Sequence, residues 1–114
     1  TRAYCYENRE HRDFLIGRIS KTQNYEKLVE NEHPKDSDWG TYLELTFTPN
    51  PKLETTSQKA IELDYSMMDS KFTLQCRKAM LGYTLRRLNF NETATPNTIN
   101  TSQILAYQGF EIVE

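Results

Sequence analysis

Arg2, Arg12, Arg18 and Arg77 are the side chains of this sequence best suited to binding chemistry. A guanidinium is a planar fork of N–H donors that meets carboxylate or phosphate oxygens in pairs, which the point charge of lysine does not do. Around two of these residues the run REHRDFLIGRI, residues 9–19, reads as a strand. Strand side chains alternate, so Arg12, Phe14, Ile16 and Arg18 are expected on one face, with Asp13, Leu15 and Gly17 on the other. Six residues of strand would hold the two guanidiniums roughly 20 Å apart. Two arginines beside Phe and Ile have two explanations. Either they await an anion, or they are edge charges that snorkel to water or pair with Asp13, Glu7 or Glu44.

Other constellations are weaker. Cys5 and His11 lie on opposite arms of an expected hairpin, where their side chains could meet. A nucleophile also needs an orienting group and an oxyanion site, and no Gly-rich nucleophile turn supplies one. His11, His33, Asp36 and Asp38 are the candidates for a metal, but His33 precedes Pro34 in the most polar part of the chain, where a solvated histidine is the default. Glu62 and Asp64 sit two apart on a helical pattern and point to different faces, so they make poor acid–base partners. No catalytic residue, metal or cofactor is expected.

Composition narrows the class. A net charge of −2 argues against wholesale coating of nucleic acid, so any anion binding must be local. No stretch approaches the roughly 20 apolar residues that span a bilayer, and a cytoplasmic protein is expected. Cys5 and Cys76 are too few for a paired zinc site and are expected as buried free thiols rather than a disulfide. The opening TRAYCYENREHRDFLIGRI starts in mid-strand, which suggests the C-terminal piece of something longer.

The elements that must position the arginines follow from periodicity. Arg2 to Tyr6 and Asp13 to Ile19 read as the two arms of a hairpin. Residues 21–38 are polar and read as a linker with room for a short helical turn. From Trp39, WGTYLELTFTP alternates Leu43, Leu45 and Phe47 against Tyr42, Glu44, Thr46 and Thr48, a strand with one apolar face. TTSQKAIELDY is a helix with Thr55 and Gln58 at capping-box spacing, and Ile61 and Tyr65 on its inner side. SKFTLQCRK is a strand that puts Phe72, Leu74 and Cys76 opposite Thr73, Gln75 and Arg77. AMLGYTLRRL is a helix with the stripe Leu81, Leu85, Leu88, and QILAYQGFEIVE closes as strand. The order β-α-β-α-β, with room for one more short strand, predicts an α+β, ferredoxin-like antiparallel sheet with two helices over residues 39–114.

Family resemblance adds to this. RAYCYENREHRDFLIGRI resembles the last hairpin of the WYL domain of bacterial transcriptional regulators, an Arg-Ala-Tyr/Trp-Cys strand followed by Phe/Tyr-Arg-Asp-Phe and Arg-Ile. DWGTYLELTFTPNPKLETTSQKAIELDYSM and FTLQCRKAMLGYTLRRLNF look like the C-terminal extension that follows that domain. His11 departs from the aromatic usual before Arg12. The Trp-Tyr-Leu triplet and the N-terminal winged helix-turn-helix have no counterpart here.

The resemblance is closest to regulators that accompany phage-defence operons. It implies that residues 1–20 end a small Sm-like β-barrel and that Arg2, Arg12 and Arg18 match its basic ligand face. Arg77 matches the extension's arginine. It implies a homodimer, an anionic effector (a nucleotide or single-stranded nucleic acid), and operator DNA bound through a domain N-terminal to this chain. An anion joining the hairpin arginines to Arg77 would then shift the DNA-binding domains. The alternative is a purely structural homodimerisation module without ligand.

Overall fold

The computed structural model describes residues 1–23, 34–97 and 103–114. The chain divides into two units, Thr1–Asp36 and Ser37–Glu114. Among the described residues no helix is long and apolar enough to cross a membrane.

In the first unit, β1 (Arg2–Cys5) pairs antiparallel with β2 (Glu10–Asp13) through a turn in which Arg9 takes a left-handed φ of 54°. Reciprocal bonds between Thr1 and Phe14, 2.7 and 2.8 Å, close the open end of the hairpin. The expected strand over Asp13–Ile19 is not formed. Among the described residues no strand pairs with the backbone after Phe14, which satisfies itself locally. Ile16–Arg18 makes a 3₁₀ turn, with Arg18 N–H donating to Leu15 and Ile19 N–H to Ile16, both at 3.0 Å. Arg12 and Arg18 therefore do not share a strand face. Tyr25, Leu28, Val29 and His33 lie outside the described residues.

The second unit opens with a helical turn, α1 (Ser37–Gly40), so Trp39 precedes the strand rather than starting it. It continues as β3 (Tyr42–Pro49), α2 (Thr55–Asp64), β4 (Phe72–Arg77), α3 (Leu81–Arg87) and β5 (Leu105–Val113). β3 is central in an antiparallel sheet of order β4-β3-β5. The alternation read from the sequence holds. Leu43, Leu45 and Phe47 are wholly buried while Glu44, Thr46 and Thr48 are half-buried. Met68 and Lys71 form a single bridge around Asp69 and Ser70, both at positive φ as a type I′ turn requires. That bridge occupies the place left for one more short strand, consistent with a ferredoxin-like arrangement.

The helices lock onto this face through aromatic rings. Tyr65, at the end of α2, stacks on Phe72 at 5.0 Å, Phe72 on Phe47 at 5.1 Å, and Phe47 meets Tyr107 at 5.4 Å and Phe90 at 5.7 Å. The capping box does not form. The chain is still extended at Glu54, so Thr55 is already helical, and the Gln58 amide donates to the Leu53 carbonyl at 2.7 Å instead. α3 ends on a left-handed Asn89, φ 65°. Phe90 N–H returns to the Leu85 carbonyl and Asn89 N–H to Arg86, a Schellman ending whose apolar contact is Leu85 with Phe90.

Candidate functional site

The hairpin register decides which side chains can cooperate. Arg2 faces Asp13 and Tyr4 faces His11, while Ala3 faces Arg12 and Cys5 faces Glu10. Residues directly opposite share a face and neighbours alternate. Arg2 and Arg12 therefore point to opposite faces. So do Cys5 and His11: the Cys5 sulphur accepts from the Asn8 amide at 3.4 Å, and the His11 ring meets Tyr4 edge-on at 5.1 Å. The pair considered as nucleophile and base is not brought together.

Each arginine has a distinct environment. Arg2 sends its fork to Asp36, with Nη2 at 3.0 Å from Oδ1 and Nε on Oδ2, and reaches Asp13 across the hairpin at 3.3 Å. The Asp36 hydrogen bond is the largest influence on Arg2 and raises its pKa further, more than burial lowers it. This guanidinium is engaged by the protein's own carboxylates. Arg12 touches Glu10 at 3.5 Å with both side chains more than half exposed, a contact worth little in water. Arg18, exposed on the 3₁₀ turn, has no side-chain partner among the described residues. Both guanidiniums are exposed to solvent.

Arg77 ends β4 beside Tyr42 of β3. Its guanidinium carbon lies 4.4 Å from the Trp39 ring centroid and 4.7 Å from that of Tyr42, and Nη1 donates to the Trp39 carbonyl at 2.7 Å. The backbone bond from Lys78 N–H to Thr41 O, 2.8 Å, and the Lys78–Asp38 pair at 3.5 Å close the same corner. Strand alternation turns Cys76 to the core face, as read from the sequence, so that Arg77 falls on the other. Arg77 thus clamps α1 to the sheet by cation–π contact, and among the described residues only Nη1 donates a hydrogen bond. The signal in the sequence was Trp39, Tyr42 and Arg77 themselves; only the register makes them neighbours.

Cys5 and Cys76 are free thiols, half-buried rather than buried. Among the described residues no group of His, Cys, Asp and Glu could hold a metal ion. Asp36 is held by Arg2, and Asp38 faces Lys78. The sequence reading passed over Asn50, a buried polar residue at the end of β3. Its amide donates to the Gln103 carbonyl at 2.8 Å, its side-chain oxygen accepts from Lys52 N–H at 3.0 Å, and its own N–H reaches Ile104 at 2.9 Å. It fixes the segment entering β5 against the end of β3.

Residues 42–108, from the first residue of β3 into β5, match the family described as the BrxR transcriptional regulator C-terminal dimerization domain. The chain belongs to that family. It is also similar to DNA-binding transcriptional repressors named CapW. Identity is 39% over 93 residues for one from Escherichia coli (strain KTE188) and 34% over 93 residues for one from Stenotrophomonas maltophilia, each alignment covering 82% of this chain and 31% of the relative. For the Pseudomonas aeruginosa repressor it is 36% over 91 residues, 80% of this chain and 30% of the relative. The chain thus spans about a third of the length of the curated relatives it matches. The matched family is described as a dimerization domain and the relatives as repressors; neither description names a catalytic activity.

Proposed function

We propose that this chain is the dimerising and effector-sensing C-terminal region of a bacterial DNA-binding transcriptional repressor. The observation that carries the reading is the match of residues 42–108 to a dimerization domain, together with the similarity to CapW repressors. In this reading residues 1–20 form the final hairpin of a WYL domain. Operator DNA is bound by a domain outside this chain, and two copies of the second unit hold two such domains in register in the cytoplasm.

The effector is an anion, a nucleotide or single-stranded nucleic acid, met first by Arg12 and Arg18. Their guanidiniums are the open ones of the four, and the net charge of −2 leaves little nonspecific attraction to compete. Arg2 and Arg77 act in the same response by holding Asp36 and Trp39 in place. Binding an anion then alters operator affinity by linkage, each ligand changing the affinity for the other by the same factor.

The test uses the full-length regulator. Oligonucleotides and cyclic nucleotides are titrated against wild type, Arg12→Gln, Arg18→Gln and the two Lys variants. A bidentate anion contact of about 1.5–3 kcal/mol predicts at least about tenfold weaker binding for Gln and partial recovery for Lys. Equal affinities in all five proteins, with a binder in hand, would return these arginines to edge charges. That result would favour the second reading, a structural homodimerisation module without ligand, which the internal engagement of Arg2 and Arg77 already supports.

A further inference from the structure

The outer edge of β5 carries a surface that the fold leaves unfinished. β5 pairs with β3 on one side only, and among the described residues no strand lies beyond it. Tyr107 turns its carbonyl away from β3 and accepts from Asn97 N–H at 2.9 Å. Residues along the central strand alternate between hydrogen-bonded and non-hydrogen-bonded pairs. Phe47–Tyr107 is therefore a non-hydrogen-bonded pair, and so, two and four residues along β3, are Leu45–Phe110 and Leu43–Ile112. The N–H and C=O groups of Phe110 and Ile112 point outward, to the free edge.

The side chains of the same two residues repeat the pattern. Their register with Leu45 and Leu43 puts them on the core face of the sheet. Leu43 and Leu45 are 0% exposed, yet Phe110 and Ile112 are 46% and 63% exposed. The apolar layer runs across β3 and stops uncovered at β5. An unprotected edge with apolar side chains is a template for another strand, and proteins that remain monomeric block such edges with charge, proline or a bulge. Here the bulge at Gly109, backed by Pro96, protects the edge only before Phe110.

We infer that the Phe110–Val113 edge of β5 pairs antiparallel with the same edge of a second copy, joining two three-stranded sheets into one of six strands. The inference rests on the dimerising role proposed above and names the surface that carries it. A second copy suits this edge better than a foreign strand for two reasons. Two-fold symmetry always sets a strand antiparallel to itself, so one outward-facing row of donors and acceptors completes both copies. The matched family is also one of dimerization, and its match reaches into β5. Charge selects the register. Glu111 already faces Glu44 across the sheet, so pairing centred on Glu111 would set it against its own copy as well. Pairing centred on Ile112 sets Glu111 opposite Val113, puts Ile112 against Ile112 of the second copy, and keeps clear of Pro96.

The experiment measures the dimer dissociation constant of the full-length regulator by sedimentation equilibrium, for wild type, Ile112→Lys, Ile112→Pro and the control Leu63→Lys. Leu63 is apolar and 80% exposed but lies on α2. Because the Ile112 N–H faces outward, proline there leaves the β3–β5 ladder whole and removes only a donor to the second copy. Both Ile112 variants should weaken the dimer at least tenfold with unchanged circular dichroism, while Leu63→Lys stays within twofold. In wild type, the Phe110 and Ile112 amides should exchange with deuterium faster as the protein is diluted below the dissociation constant. This readout needs no variant. A wild-type dimer that both Ile112 variants leave intact, with concentration-independent exchange at those amides, overturns the inference and leaves the dimerising role standing. A wild type monomeric at tens of micromolar overturns both.

Discussion

Replacing Arg77 by alanine should destabilise the second unit far more than replacing Arg12 does. The Arg77 guanidinium lies against two rings, 4.4 Å from Trp39 and 4.7 Å from Tyr42, and donates to the Trp39 carbonyl at 2.7 Å. A cation–π contact near the surface is worth about 0.5–1 kcal/mol. A hydrogen bond from a charged donor is worth about 1.5–3 kcal/mol. The freed Trp39 carbonyl can turn to water, so the low end of the sum applies, about 2–3 kcal/mol. For a unit of this size that lowers the melting temperature by about 10–20 °C, at about 4–8 °C per kcal/mol. Arg12, in an exposed pair with Glu10, should cost at most about 1 kcal/mol. Arg77→Lys keeps the charge but loses the plane and the fork, so its loss should fall between these values. Circular dichroism melts give the stability. Trp39 is the sole tryptophan, so its emission reports the stack directly and should shift to the red in Arg77→Ala. Equal melting temperatures for Arg77→Ala and Arg12→Ala, with Trp39 emission unchanged, would refute the clamp.

Other expectations follow from the same geometry. Asn50→Ala should lower the urea midpoint, because it leaves the Gln103 carbonyl and Lys52 N–H without their partner at a cost of about 1–3 kcal/mol for a buried group. Gly109→Ala should cost about 1–3 kcal/mol in the same assay, since φ is +104° and an added Cβ would meet Pro96 Cγ at 3.0 Å. Burial, and secondarily the Cys76 thiolate, raise the Tyr107 phenol above its ordinary 10.0. The folded state therefore holds this proton more tightly than the unfolded chain. The associated stability is complete below the unfolded pKa and is lost as pH climbs through the folded one. Unfolding free energies measured on both sides of pH about 10 should fall less steeply for Tyr107→Phe than for wild type.

What the sequence determined by itself was every element whose partner is dictated by its own period. The alternation of Leu43, Leu45 and Phe47 and the stripe through Leu85 define faces that water alone will sort, so the α+β order of the second unit was legible. The residues of the Arg77 clamp were all visible, and strand alternation correctly turned Arg77 away from Cys76. Tertiary structure decided whatever depended on a partner strand. Residues 15–19 have strand composition, but a strand needs a neighbour for its backbone groups, and among the described residues none pairs with them, so Ile16–Arg18 closes a 3₁₀ turn instead. The hairpin register, invisible in composition, put Arg2 and Arg12 on opposite faces and gave Arg2 to Asp36, 34 residues away in the chain. Asn50 acquired its role in the same way, because the carbonyl it satisfies belongs to Gln103, 53 residues on. Local period fixes which face a side chain takes; only long-range pairing fixes what waits there.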